Sequence, residues 1–180
     1  GMLVGSFHVA GLFTYLTASP LVFMDLLGMS GFRYGLAMGC SALALVIGSQ
    51  VNARLLKRFS LNNVLWCSNV LQLLASALFV VGLALVPVSF WLVLAFVVLY
   101  MFCLGFLLPD VTALIMAPFG REKAGSASAL LGSFQMVAGA LAAAMVSWAY
   151  DGTVAVMAVG LPVCAAGSVI LLWRERLRRR

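Results

Sequence analysis

Charged residues divide this chain into long apolar stretches. No Asp, Glu, Lys or Arg occurs before Asp25, between Arg33 and Arg54, between Arg58 and Asp110, between Lys123 and Asp151, or between Asp151 and Arg174. A transmembrane helix needs about 20 apolar residues to cross the roughly 30 Å of hydrocarbon. Four of these stretches hold one span each. The stretch from Phe59 to Pro109 is long enough for two, divided near Val86-Pro87.

The six predicted spans cover about residues 3–24, 34–53, 64–85, 88–108, 124–150 and 153–173, and a basic tail occupies 174–180. Their apolar positions do not alternate with polar ones as they would in a half-buried strand. A helix satisfies its own backbone hydrogen bonds inside lipid, so each span is expected to be helical. The predicted fold is all-α: a polytopic membrane protein with a bundle of six transmembrane helices.

Composition agrees with a lipid environment. Apolar residues make up 64% of the chain and charged residues 9%, against about 45–50% and 25% in a soluble domain. The four cysteines lie inside the spans and are interpreted as small buried residues. The sequence predicts neither a metal site, since it has only one histidine, nor a cofactor.

Basic residues predict the orientation in the membrane. Arg54, Lys57 and Arg58 separate spans two and three, Arg121 and Lys123 separate spans four and five, and five arginines occupy the tail, whereas the opposite loops hold only Arg33. The positive-inside rule places the basic loops and both termini in the cytoplasm. The net charge of +6 therefore reflects topology and contact with lipid headgroups, and no nucleic-acid partner is predicted.

Span five carries a stripe of small residues. Its members recur at three- to seven-residue steps, and the strongest candidates for helix packing are Gly125, Ala129, Gly132 and Gly139. Small side chains let helix backbones approach closely in lipid, where little hydrophobic force draws helices together. The stripe predicts a tight helix contact, and Gln135, near mid-span, is expected to face a partner helix or a cavity.

Span one carries a polar stripe. His8, Tyr15 and Ser19 are separated by seven and four residues and therefore share one helical face. Pro20 removes a backbone hydrogen bond and is expected to kink the outer part of this helix. A substrate pathway and a simple bond from His8 to a neighbouring helix both remain open.

Asp110 comes directly after Pro109 at the predicted inner end of span four. A carboxylate beside a kink can titrate or pair with a cation, and His8 is the other candidate for titration. The alternative, a carboxylate that is simply hydrated at the membrane interface, is favoured here.

An enzyme is not predicted. Six-helix intramembrane serine proteases place a serine in a G-x-S-G turn and pair it with a histidine on another helix. The segment Gly125-Ser126-Ala127-Ser128 lacks the closing glycine, and the only histidine lies far upstream at His8. Nothing in the sequence brings a nucleophile and a base within hydrogen-bond reach.

Four segments resemble the C-terminal six helices of the major facilitator superfamily, in its bicyclomycin/chloramphenicol resistance (Bcr/CflA-like) branch of drug:proton antiporters. They are Phe13 to Pro20 with the downstream Gly28-Met29-Ser30, Gly48 to Arg58, Leu108-Pro109-Asp110, and Lys123 to Gly132. The resemblance covers essentially the whole chain. Asn52 stands where the stricter loop motif has an acid, and Asp110 where a neutral residue is expected.

The resemblance implies proton-driven export of drug-like molecules across a bacterial inner membrane. It also implies that a six-helix N-terminal half carries the proton-binding carboxylates. Gly1-Met2 runs straight into span one. This start does not resemble a signal peptide, and it favours the interpretation that an upstream segment of the protein is missing from this chain. The substrate site is expected between the two halves, and the side chains predicted to line it are Tyr15, Ser19, Phe102, Phe134, Gln135 and Met136.

Two alternatives remain open at this point. The chain can be a complete six-helix subunit that homodimerises to form the pathway. It can also be a structural or regulatory membrane subunit that transports nothing.

Overall fold

The computed structural model describes residues 2–118 and 121–178, all of whose regular structure is helical. The helices are α1 (Met2–Pro20, continued by a π-helical segment, Leu21–Leu26), α2 (Gly31–Leu55), α3 (Leu61–Leu85), α4 (Phe90–Met116), α5 (Arg121–Ala149) and α6 (Ala155–Arg178). Six helices in this part of the chain are long and apolar enough to cross a membrane. This confirms the predicted all-α, six-span bundle.

Several helix ends differ from the predicted spans. Helix α4 continues through Pro109 to Met116, whereas the sequence placed the end of the span at 108. Helix α6 continues to Arg178, so part of the predicted basic tail is helical, while residues 179–180 and Gly1 lie outside the described residues. At Pro20 the α-helical hydrogen bonding gives way to the π-helical segment, as the missing N–H of proline would favour.

Four helices form the centre of the bundle. Helices α1, α4, α3 and α6 pack in a ring, each against the next, while α2 lies outside against α4 and α5 lies outside against α1. We call the end that carries Arg54, Lys57 and Arg58 the basic end, and the end that carries Asp25 and Asp151 the opposite end. Both flanking helices leave broad faces exposed.

The apolar core has a larger and a smaller part. The larger part lies toward the opposite end and includes the stacked rings of Phe79 and Phe96, whose centroids are 3.9 Å apart. The smaller part lies toward the basic end, around Val4, Leu107 and Val111. Together they join the four central helices along most of their length.

Helices α2 and α4 touch backbone to backbone. A Cβ atom added at Gly48 would collide with the carbonyl oxygen of Phe102, and one added at Gly105 would collide with the carbonyl oxygen of Leu45. Two glycines at one crossing point bring helix axes closer than larger side chains allow. Residues further along both helices are thereby held in register with one another.

Helix α1 meets α5 and α6 in a different way, by inserting side chains over glycines. A Cβ at Gly139 of α5 would lie 2.7 Å from Phe13, and one at Gly160 of α6 would lie 2.8 Å from Thr14. Of the stripe predicted to pack, only Gly139 does so inside this chain. Nothing lies within 4 Å of a Cβ at Gly125 or Gly132, and Ala129 is exposed, so these three make no close helix contact within this chain and their role in packing stays a prediction.

Candidate functional site

Tyr15 and Ser19 of α1 are buried against α2 near the opposite end. The Tyr15 hydroxyl donates to Met38 Sδ at 3.0 Å, and the Ser19 hydroxyl is hydrogen-bonded to the Tyr34 hydroxyl at 3.0 Å. The sequence placed both residues on the wall of a substrate cavity. In this chain both side chains face α2, and their place on a substrate wall stays a prediction.

Gln135 lies at the contact between α5 and α1. Its Nε2 would be 3.2 Å from a Cβ added at Gly5, so the missing side chain at Gly5 makes room for the amide. Gly5 precedes Tyr15 by ten residues, about 15 Å along a helix. Gln135 and the Tyr15–Ser19 pair therefore lie in two separate places, one toward each end of α1.

Phe134 and Met136 flank Gln135 but point to different sides of α5. Both side chains are exposed, by 50% and 56%. Residues two positions apart on an α-helix point in directions that differ by about 200°. Three helical turns separate Phe134 from Met145, which lines an apolar groove of about 520 Å³ between α1, α5 and α6. Met136 lies on the other side of α5, within the stripe of Gly132.

Phe102 is a half-buried residue of α4. Its ring packs edge-on against Phe106 with centroids 5.2 Å apart, and its carbonyl lies at the Gly48 crossing. The six predicted site residues therefore do not form one cluster in this chain. Gln135, Met136 and Phe102 remain the candidates for a wall that a partner would complete.

Asn52 and Asp110 form a buried polar pair between α2 and α4. Asn52 Nδ2 donates to Asp110 Oδ1 at 2.6 Å, and Asp110 is 1% exposed. The favoured expectation, a carboxylate hydrated at the interface, is wrong. Because α4 does not end at Pro109, Asp110 lies on a continuing helix that α2 covers.

The centre of the bundle holds further buried polar side chains, which the sequence analysis missed. Asn69, Gln72 and Ser76 recur at three- and four-residue steps on α3, and the Ser168 hydroxyl of α6 donates to Asn69 Oδ1. As with the polar stripe of span one, helical spacing places these side chains on one face, and this was a usable signal. His8 is buried as well, and neither its Nε2 nor the Gln72 amide has a partner in the described part of the chain.

The geometry offers no metal-binding cluster: the described residues contain no group of three His, Cys, Asp or Glu side chains placed to hold an ion. Polar groups line helix contacts, and broad apolar surfaces face outward. These are the features of a multi-pass membrane protein.

Comparison with known proteins identifies the family of this multi-pass membrane protein. The family model of the Major Facilitator Superfamily matches residues 1–180, and the chain belongs to this family of membrane transporters. The family points to a transporter rather than an enzyme.

Two curated relatives are similar over most of the chain. The uncharacterized MFS-type transporter YdgK of Bacillus subtilis (strain 168) is 27% identical over 177 residues, which are 97% of this chain and 43% of the relative. The bicyclomycin resistance protein homolog of Haemophilus influenzae (strain ATCC 51907 / DSM 11121 / KW20 / Rd) is 24% identical over 171 residues, 94% of this chain and 42% of the relative. The chain thus spans less than half the length of the relatives it matches. No solved structure matches it.

Proposed function

We propose that this chain is the C-terminal six-helix half of a transporter that exports drug-like molecules by proton antiport. The observation that carries the proposal is the family match over residues 1–180, together with the coverage of only 42–43% of two relatives, one of which is named a bicyclomycin resistance protein homolog. The motif resemblance at Lys123 to Gly132 supports the C-terminal assignment.

The exposed faces of the flanking helices α2 and α5 support the proposal that a second six-helix half packs against this chain. Gly125, Ala129 and Gly132 are open on α5, and small residues of this kind suit the close approach of another helix in lipid. Transporters of two related halves place the substrate site at the interface between the halves. In this arrangement the N-terminal half covers part of α2 and α5, and lipid covers the remaining apolar surface.

Gln135, Met136 and Phe102 are the residues we assign to the substrate wall. A methionine adapts to substrates of varied shape, and an amide supplies both a donor and an acceptor. In the full-length protein, Met136→Ala should change the relative export of different drugs. Met145→Ala is the matched control, since Met145 is also exposed on α5 but points to the opposite side. Equal changes in drug preference for both variants would contradict the assignment.

Transport into reconstituted vesicles with an imposed pH gradient tests the function itself. The full-length protein should move drug against an opposing proton flux, and the isolated six-helix chain should move none. Transport by the isolated chain would replace the half-transporter with the homodimer. Failure of the full-length protein to transport any drug would favour a structural or regulatory subunit.

The orientation we propose has both termini and the Arg54–Arg58 loop in the cytoplasm of a bacterial inner membrane. It rests on the ten basic residues of one side against the single Arg33 of the other and on the positive-inside rule. On a cysteine-free background in intact cells, a cysteine placed next to Asp151 should react with an impermeant reagent. A cysteine at Arg58 should react only after the cells are opened, and reaction in intact cells would reverse the topology.

A further inference from the structure

The Asn52–Asp110 pair leaves two buried oxygen atoms without a partner. Asp110 Oδ1 accepts from Asn52 Nδ2, which also lies 3.5 Å from the carbonyl oxygen of Phe106. Asp110 Oδ2 and Asn52 Oδ1 have no hydrogen-bond partner among the described residues. Two acceptors left over in one buried contact indicate that a donor is missing between the two side chains.

An ionised carboxylate fits this place poorly. Removing a carboxylate from water is costly unless a cation or several hydrogen bonds compensate, and Asp110 has one such bond. Toward the basic end, the titratable side chains in the described parts of the surrounding elements are His8 on α1, Arg54 on α2, Cys67 on α3, and Lys57 and Arg58 in the α2–α3 loop. None of them forms a hydrogen bond or an ion pair with Asp110. The side chains of 121–124 lie outside the described part of the chain.

One proton accounts for both unpaired atoms. A carboxyl group protonated at Oδ2 becomes a donor, and the acceptor without a donor in the same contact is Asn52 Oδ1. An acid and an amide can then exchange two hydrogen bonds, one in each direction. The neutral form of Asp110 can bond both to the amide nitrogen and to the oxygen of Asn52, whereas the ionised form can bond only to the nitrogen.

The backbone of α4 is weakened beside the pair. Pro109 has no N–H to donate to the carbonyl of Gly105, and Gly105 lies at the tight crossing with Gly48. The crossing fixes α4 on one side of Pro109. On the other side, the Asn52–Asp110 bond is the side-chain hydrogen bond that joins the end of α4 to α2 among the described residues.

We propose that Asp110 binds a proton, and that its protonated carboxyl latches the basic end of α4 to Asn52 of α2. Release of the proton to water leaves an anion that the closed contact cannot accommodate, and the segment 110–116 moves away from α2 about Pro109. The proposed export function places its proton-carrying carboxylates in the other half, so this is an additional proton site within the present chain.

The protonation state can be read by infrared spectroscopy of the full-length protein in lipid nanodiscs. At neutral pH we expect the C=O stretching band of protonated carboxylic acid to lose the intensity of one carboxyl group in Asp110→Asn and to keep its full intensity in the matched control Asp25→Asn, which removes an exposed acid. If the wild-type protein lacks the band, or if Asp110→Asn retains it in full, Asp110 is ionised and the proposal is overturned.

The latch can be read from a distance between spin labels at Ala53→Cys and Thr112→Cys, two exposed positions, on a background without the native cysteines. The distance should lengthen as the pH rises in the parent protein and in Asp25→Asn. In Asp110→Asn, whose amide imitates the neutral acid, it should stay short at every pH. A pH response that survives in Asp110→Asn overturns the proposal.

Asn52→Ala provides a second test should Asp110→Asn fail to fold. It keeps the acid and removes its partner, so the midpoint of the distance change must move, and an unchanged midpoint overturns the latch. None of these measurements requires transport. Failure of the latch therefore leaves the export proposal standing, and the reverse also holds.

Discussion

The two flanking helices, α2 and α5, are attached to the central ring by contrasting contacts. They have the least buried membrane-spanning windows of the six, 22% for α2 and 17% for α5. Helix α2 meets α4 through backbone atoms at Gly48 and Gly105, while α5 meets α1 through the ring of Phe13 over Gly139. A backbone cannot give way locally, but a side chain can rotate. The contact of α2 is therefore the more rigid one.

Helices α2 and α5 also differ in their hydrogen bonds. Helix α2 is joined to α1 and α4 by side-chain bonds near both of its ends, at Tyr34 and Asn52. In the described part of α5, the Ser128 and Ser133 hydroxyls bond to carbonyls of their own helix, those of Gly125 and Ala129. Side-chain hydrogen bonds near both of its ends specify the register of α2 on its neighbours, whereas α5 is tied to the α1 segment just beyond its own end, where the Tyr150 hydroxyl donates to the Leu21 carbonyl. The position of α5 should be easier to shift by mutation or by a partner.

The strongest test of this contrast is Gly48→Leu compared with Gly132→Leu. A side chain at Gly48 must displace the backbone of α4, so the free energy of unfolding should fall by more than about 3 kcal/mol, the upper part of the range for overpacking. The same change at Gly132 meets open space in this chain. Thermal unfolding of the purified six-helix chain in detergent measures the loss of stability in each variant. Equal losses would show that the α2 crossing is not special.

An intermediate effect is expected at Gly139. A Cβ there lies 2.7–3.0 Å from atoms of the Phe13 ring, and the ring can turn aside at a cost of about 1–2 kcal/mol. Gly139→Ala should therefore lower the unfolding temperature less than Gly48→Ala does. Combining Gly139→Ala with Phe13→Leu should recover part of the loss. Without such recovery, Phe13 is not the side chain that limits the approach of α5.

A smaller effect is expected at the α1–α2 contact. Ser19→Ala removes the hydroxyl that bonds Tyr34 and should cost about 0.5–1 kcal/mol, as single hydrogen bonds between helices in membrane proteins do. Ser133→Ala on α5 is the control, because its hydroxyl bonds only within its helix. The same unfolding assay compares them, and an equal cost would remove the distinction between the two flanking helices.

The mildest effect concerns the turn where α5 ends. Thr153 donates to Asp151 Oδ1 through its hydroxyl at 2.6 Å and its N–H at 3.1 Å, and these bonds lower the pKa of the Asp151 carboxyl. Because the folded pKa is depressed, the stabilisation is present above the unfolded pKa and is lost as the pH falls through the folded value. Thr153→Ala should lower the unfolding temperature slightly more at neutral pH than in acid, where only the bond from the Ala155 N–H to the Thr153 hydroxyl is lost. A pH-independent difference would exclude this linkage.

The span pattern was predictable because charges are costly in lipid, and long gaps between them therefore mark helices. The burial of Asp110 could not be predicted in the same way. Pro109-Asp110 is typical of a helix end, and the residue that contradicts this interpretation, Asn52, lies 58 positions away. A local pattern cannot reveal a partner on another helix. The length of span four could be predicted to within a few helical turns, whereas the burial of Asp110 within it could not be predicted.

Helix contacts were predictable in kind but not in place. The small residues of span five predicted close approach along that helix, whereas the close contacts inside this chain include Gly48 and Gly105 on other helices, with Gly139 as the stripe member that takes part. Choosing among glycines requires knowing which helices are neighbours. The six residues predicted to line a substrate site do not cluster within this chain, for a simpler reason. Phe134 and Met136 are close in sequence, but the helical period turns them to different sides.

The π-helical segment Leu21–Leu26 makes this end of the molecule sensitive to length more than to side-chain identity. A π-helical turn holds more residues than an α-helical one, and each residue added or removed rotates the downstream part of the helix by about 100°. With the present count, Phe23 points inward, with its ring 6.3 Å from Tyr34 and 6.0 Å from Phe90, while Asp25 stays exposed. Deleting one residue here would turn the apolar anchor of α1 toward lipid and rotate an acid toward the core. Homologous chains should therefore vary in sequence across this segment while keeping its residue count.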